Sequence, residues 1–319
     1  QRQMCIRDRC WVCLVFMVKY ILKRLGLLLL TLFLIVTLTF FMMQVMPGTP
    51  FSNPKLTPDQ LEILKHAYGL DKPLWQQYFI YVGHMFTGNF GTSFIYTNQP
   101  VITMIAQRLP VSMQLGTQAL ILGTVLGALM GKASARRKNG LLDGVFGFLS
   151  VLGISVPSFV IGTLILLYLG FNLNLFPISG WGTFSQTIMP TIALSFAPMA
   201  VVTRFVRSEM IESLSSDYIL LARAKGLSEK EVVNKHALRN SLIPMLTLIG
   251  PMAAGLLTGS VLIENIFSIP GIGAQFVDSI PAKDFPVIMA TTIVYAVILM
   301  VFISVTDILT AIVDPRVRL

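Results

Sequence analysis

Charge is scarce in this sequence. Only 12% of its 319 residues are Asp, Glu, Lys or Arg, while 54% are hydrophobic and the mean hydropathy is +0.74. A soluble domain carries roughly a quarter charged residues. So little polar material cannot coat a water-soluble fold of this size, and the natural solvent is lipid. Cysteine is nearly missing as well: Cys5, Cys10 and Cys13 all precede the apolar body. Cys10 and Cys13 make a lone C-x-x-C with no second pair and no βαβ context, so no disulfide framework follows. His66, His84 and His236 lie far apart, which leaves no evident metal cluster. No H-E-x-x-H and no G-x-S-x-G occurs. Gly127 to Ser134 imitates a phosphate loop but has three residues between its glycines where four are needed, and Ala133 replaces the magnesium-holding hydroxyl. The chain is therefore expected not to be an enzyme, to bind no metal or cofactor itself, and not to hydrolyse ATP.

Ionisable groups are also missing from the middle of the apolar runs, and Glu264 and Asp307 lie near their ends. Proton- or sodium-coupled carriers usually need such groups, or broken helices, near mid-membrane. Without them, the free energy for any transport has to come from elsewhere. The net charge of +9 does not point to nucleic acid, because the bases sit between apolar runs, where they orient spans.

What is present is a series of six apolar segments. They run over residues 25–46, 111–131, 145–169, 188–206, 242–263 and 287–312. Basic residues sort between them. One set of connections holds Lys19, Lys23 and Arg24; four bases in 132–138; seven in 204–239; and Arg316 and Arg318. The other set holds only Lys55, Lys65, Lys72, Arg108 and Lys283. Sixteen against five predicts an all-α integral membrane protein with six transmembrane helices and both termini in the cytoplasm. Gln1 to Phe16 read as neither a signal peptide nor a helix start, and Met4 to Arg9 looks like translated adapter sequence. Residues 1–16 are set aside as a non-native leader, and 17–319 are read as one transmembrane domain.

The external loop 47–110 is long and only moderately polar. A short helix is expected over Pro58 to His66, capped by Thr57, and a turn at Gly88-Asn-Phe-Gly91; together they predict a small folded cap. The second apolar segment carries Gly123, Gly127 and Gly131, a small-x-x-x-small row that lets helix backbones approach closely. Gly255 and Gly259 repeat that spacing in the fifth.

The informative stretch is the cytoplasmic loop 207–241, above all Asp217 to Pro244. Asp217 is placed to cap a short helix running to Lys225. Gly226 suits a left-handed C-terminal cap. Ser228 followed by Glu231 fits a capping box for a second helix. The expected unit is helix, tight turn, helix, with Tyr218, Leu221 and Ala222 on one face and Arg223 and Lys225 toward water. Docking of a partner and a pair of helices lying on the membrane surface both fit that pattern.

This stretch resembles the EAA loop of ABC-importer permeases, in the form typical of the dipeptide/oligopeptide/nickel family. The likeness rests on Ala222-Arg223-Ala224-Lys225-Gly226-Leu-Ser228-Glu, on His236-Ala-Leu-Arg-Asn240, and on Ile243-Pro244. It extends over residues 17–319 through Met46-Pro-Gly-Thr-Pro50, Gly69-Leu-Asp-Lys-Pro-Leu74, Glu264-Asn-Ile-Phe267-Ser-Ile-Pro270-Gly271-Ile-Gly273, Asp284-Phe-Pro286 and Asp314-Pro-Arg316. Two positions depart from the broader pattern: Leu220 and Leu221 stand where it has Glu and Ala, and Arg239 where it has proline. The loop therefore lacks the acidic residue that would pair with an ATPase, and docking is expected to rest on shape and on Arg and Lys contacts.

The resemblance implies a multi-pass subunit of a bacterial or archaeal cell membrane. It would be one of two homologous permeases, served by two cytoplasmic ATPases that bind ATP-Mg and by an extracytoplasmic solute-binding protein. Glu264, Phe267, Pro270, Gly271, Gly273 and Asp284 are the candidates for an external gate or binding-protein contact. Peptides, nickel complexes and glutathione are the solute classes implied. The alternative is a secondary transporter or channel without ATPase partners.

Overall fold

The computed structural model describes residues 2–46, 69–96 and 99–313, with a few positions between 59 and 66. Among them helices are the regular elements, and the nearest approach to a sheet is one isolated bridge between Thr92 and Pro100. The expected helix over Pro58 to His66 falls for the most part outside the described residues.

The first helix, α1, runs over Arg2–Val45, so the leader set aside as no helix start is helical from Arg2 onward. Next come α2 (Leu74–Phe86), α3 (Val101–Arg136), α4 (Leu141–Ser155) and α5 (Ser158–Ile165), which continues as π-helix over Leu166–Asn172. Then follow α6 (Phe184–Leu214), α7 (Asp217–Ala224) and α8 (Glu229–Glu231), which passes through π-helix Val232–Ala237 into α9 (Leu238–Leu257). The chain closes with α10 (Val261–Ile266), α11 (Ile272–Ala282) and α12 (Phe285–Val313).

Four of these helices are long and apolar enough to cross a bilayer: 24–45 of α1, α3, α6 and 285–308 of α12. Two bent pairs bring the number to six if each pair is one span. The third apolar segment, expected to run straight over 145–169, breaks between α4 and α5 with a bend of 106°. Pro157 is the cause. It has no N–H to give and forces the preceding Val156 into extended backbone. The fifth segment, expected to reach residue 263, ends at Leu257, because Gly259 turns left-handed at φ +90° and starts a new direction. Gly255 and Gly259 are therefore not a packing row: a Cβ on Gly255 meets nothing, and Gly259 is the break itself.

The row Gly123, Gly127, Gly131 does bring two helices together. A Cβ at Gly123 would lie 2.7 Å from the Ser195 carbonyl oxygen, one at Gly127 2.7 Å from that of Met199, and one at Gly131 2.7 Å from that of Thr203. Backbone meets backbone along the whole α3–α6 seam. Gly153 does the same for α4, where a Cβ would sit 2.8 Å from the Ala200 Cβ and the Phe196 carbonyl oxygen. Helices α3, α4 and α6 thus form one close-packed block.

The described part of the external loop is folded onto the bundle. Tyr78, Tyr81, Val82 and Met85 of α2 pack on Val36, Phe40 and Met43 of α1 and on Ile288, Met289 and Ile293 of α12. The Tyr78 hydroxyl is 2.7 Å from Thr37 Oγ1. After α2, Gly88 and Gly91 take φ of +70° and +76° and reverse the chain, as the Gly-Asn-Phe-Gly pattern leads one to expect.

Candidate functional site: the capped helix pair and the carboxylate nest

The helix pair over residues 217–237 is built from its caps outward. Helix α7 starts at Asp217, but Ser216 occupies the cap position and Asp217 sits in the first turn. There its charge favours the positive helix end. At the other end Lys225 closes the helix, and Gly226 takes φ +80° with nothing within 4 Å of where a Cβ would be. The Gly226 and Leu227 amides bond back to the carbonyls of Arg223 and Ala222 at 2.9 and 3.4 Å. The capping box is present: the Glu231 amide donates to Ser228 Oγ at 3.3 Å, and the Ser228 amide to Glu231 Oε2 at 3.4 Å. Lys235 donates to Glu231 at 3.1 Å and is the main reason that this exposed carboxyl sits below its usual range.

The buried face of the pair differs from the expected one. Ile219 and Ala222 of α7 point inward with Val232, Val233 and Ala237 of the second helix, and all five pack on Val202, Val206 and Met210 of α6. Tyr218, Leu220 and Leu221 face outward with 40, 60 and 57% exposure. Packing decides this: Ile219 and Ala222, three apart on one face, meet the apolar core on α6, although Tyr218 and Leu221 have the same spacing. Arg223 faces water but is engaged, its Nε donating to Glu229 at 2.7 Å. Two of the loop's bases are thus engaged at the surface, Arg223 across the turn to Glu229 and Lys235 along the second helix to Glu231, and the outward surface is an apolar ridge flanked by Ala224, Lys225 and Ser228. His236 is half-buried; Asn240 and Pro244 are exposed. Two leucines at the positions of the missing Glu and Ala carried the signal for that ridge.

The external candidates come together around Glu264. Its side chain is fully buried on α10. Oε1 accepts from Ser112 Oγ of α3 at 2.6 Å, and Oε2 accepts from the Ala274 amide of α11 at 2.9 Å. Ser112 Oγ in turn accepts from the Ile272 amide at 2.9 Å. Glycine is needed on all sides: Cβ atoms on Gly259, Gly271 and Gly273 would lie 2.6, 2.4 and 2.9 Å from this carboxylate. Phe267 is buried beneath, and its carbonyl accepts from the Gly180 amide at 3.0 Å, which ties in the loop before α6. Pro270 alone of the six external candidates is exposed.

Asp284 is also buried and lies apart from this nest. It accepts from the Ser93 hydroxyl and, at 3.0 Å, from the Phe94 amide, so it pins the external loop to the start of α12. Neither carboxylate presents a surface to an approaching protein. Ser112 and Ser93 escaped the sequence reading because they are 152 and 191 residues from their partners and stand in no motif.

Two family descriptions match the chain: "Binding-protein-dependent transport system inner membrane component" over residues 123–319, and the N-terminal component of the same systems over residues 17–116. The chain belongs to the binding-protein-dependent inner-membrane permeases. It is a permease subunit of an ABC importer, a multi-pass membrane protein whose relatives are transport permeases. It is 99% identical over 303 residues to the dipeptide transport system permease DppB of Lactococcus lactis, covering 95% of this chain and all of that one. It is 42% identical to DppB of Bacillus subtilis, over 95% of this chain and 99% of that one. It is 38% identical to the oligopeptide permease OppB of Haemophilus influenzae, over 95% and 100%. A solved amino acid ABC transporter shares the fold with a TM-score of 0.52 at 15% identity, over 65% of this permease and 92% of that chain.

Proposed function

We propose that this permease is one of two homologous permeases forming a pore for short peptides. Two cytoplasmic ATPases drive it and an extracytoplasmic binding protein feeds it. The peptide class follows from the relatives named as dipeptide and oligopeptide permeases at 99, 42 and 38% identity. Six spans with both termini in the cytoplasm is the topology in which the basic residues sort and the two bent pairs each count as one span. ATP-Mg belongs to the partner subunits.

The observation that carries the coupling role is the apolar ridge Tyr218, Leu220, Leu221 on a helix pair whose opposite face is locked into α6. A ridge that is out of the membrane and backed by a packed core is built to be covered and pushed. Residues 215–240 insert into a groove on an ATPase. When the ATPases close on ATP, the pair moves as a body and tilts α6 and α9, giving alternating access with no titrating group in the pore. Outside, the Glu264 nest seals α3, α10 and α11 together, and contact with the binding protein is confined to Pro270 and the exposed loop around it.

The test is purification of the tagged permease from cells that hold the whole system. Co-purifying ATPase and binding-protein-dependent uptake of radiolabelled dialanine are expected. A permease that transports dialanine without any ATPase sinks the proposal.

A further inference from the structure

The coupling loop is welded to α6 by an apolar core, but a push on it has to cross from α6 into α3 and α4 before those spans move. The hydrogen bonds of the loop's own side chains stay local among the described residues: Arg223 with Glu229, Ser228 and Lys235 with Glu231, Tyr218 with Ser213. Where the force leaves α6 is therefore a separate question.

Among the described residues, the charged pair at that crossing is Asp143 with Arg207. Asp143, in the first turn of α4, is only 7% exposed. Its carboxylate accepts Arg207 Nε at 2.5 Å and Nη2 at 2.7 Å, the two-pronged geometry that fixes direction as well as distance. It also accepts the Ser134 hydroxyl from the end of α3 and the Asn139 amide, at 2.8 Å, from the turn between α3 and α4. One carboxylate thus gathers the end of α3, the turn, the start of α4 and the cytoplasmic part of α6. Arg207 stands between Val206 and Met210, both fully buried in the core that holds the coupling pair. The same short stretch of α6 grips the coupling loop with one face and Asp143 with another. Just inside the membrane, Gly131 lies against the Thr203 carbonyl, so the helices cannot slide past each other there.

A buried ion pair is poor evidence for stability, because desolvation offsets much of the attraction; fixed orientation is what it supplies. We propose that Asp143 and Arg207 are positioning residues for energy coupling. Their clasp makes α3, α4 and α6 answer as one body when the coupling loop is displaced. This inference rests on the coupling role proposed above for the loop.

The experiment uses the complete transporter in proteoliposomes, with dialanine uptake and ATP hydrolysis read on the same sample. The variants are Asp143→Asn, Arg207→Lys and the exchange Asp143→Arg with Arg207→Asp. In assembled complexes, Asp143→Asn keeps its hydrolysis while dialanine imported per ATP falls about tenfold or more, the scale of losing hydrogen bonds to a charged group. Arg207→Lys, which keeps the charge and loses the fork, falls less. The exchange restores the charge pair but not the bonds from Ser134 and Asn139, and it recovers part of the ratio. An unchanged ratio in assembled Asp143→Asn overturns the proposal. If Asp143→Asn does not assemble, a wild-type ratio in Arg207→Lys overturns it. Leu221→Asp, run alongside, separates the two ideas. Failure of the docking role shows as ATPase retained by Leu221→Asp, whereas failure of the clasp shows only in the ratio.

Discussion

The Ser112 hydroxyl donates to the Glu264 carboxylate at 2.6 Å and accepts from the Ile272 amide at 2.9 Å. One hydroxyl therefore links α3, α10 and α11 in a place without exposure to solvent. Removing it leaves a buried amide and a carboxylate oxygen each short of a partner, which costs about 1–3 kcal/mol. Ser112→Ala is expected to lower the melting temperature of the purified permease. It should also speed maleimide labelling of a cysteine placed at the exposed Pro270. A labelling rate equal to that of the Pro270→Cys parent would show that the nest does not hold this loop closed.

The α3–α6 seam predicts a contrast between glycines of identical spacing. Gly127→Ala puts a Cβ 2.7 Å from the Met199 carbonyl and must drive the helices apart, whereas Gly255→Ala meets open space in this chain. Overpacking of this kind costs typically about 1–3 kcal/mol. The yield of monodisperse protein should drop for Gly127→Ala and stay level for Gly255→Ala; equal yields would remove the seam from the account.

On the exposed ridge proposed to dock the ATPase, Leu221→Asp places a charge without touching the core formed by Ile219 and Ala222. Membrane insertion should be normal while ATPase co-purification falls. Ile219→Asp, by contrast, should lower the amount of folded permease itself.

The turn between the two cytoplasmic helices predicts a graded series. Gly226→Ala forces a side chain into left-handed backbone and costs about 1–2 kcal/mol. Gly226→Pro is worse, since proline cannot adopt φ +80° and loses the amide bond to the Arg223 carbonyl. Uptake and stimulated hydrolysis should fall in that order; wild-type uptake from Gly226→Pro would rule out a coupling role for the turn.

At the second helix, Ser228→Ala removes the box and costs about 1 kcal/mol. Acid should act in the same direction. Glu231 has its pKa lowered by Lys235 and by Ser228, so what it contributes is present above its unfolded pKa and lost as pH falls through the folded one. The protection factors of the Glu231 and Val232 amides, taken against the intrinsic exchange rate at each pH, should fall on acidification in the parent, and less so in Ser228→Ala.

The features legible in the sequence were those set by neighbours along the chain. Apolar runs at lipid length gave the membrane class, and Gly226 with Ser228 and Glu231 gave the helix–turn–helix, because caps and turns are local hydrogen-bond problems. The Gly123 row gave close packing, because a missing Cβ is visible without knowing what fills the gap. Pro157 stood in the expected third span as a visible break whose size the apolar count hid. Misassigned were the faces of α7, since a helix of two turns has too few residues for periodicity to choose between Tyr218 and Ile219.

By itself the sequence determined solvent, helical class and the local chemistry of the coupling turn, since each depends on residues within a few positions of one another. Only the tertiary structure decided that Glu264 and Asp284 are interior struts, that α3, α4 and α6 form one block, and that Asp143 meets Arg207. Those facts depend on side chains from 64 to 191 residues apart meeting in a low-dielectric interior, where each buried polar group must find a partner and no periodicity announces which one.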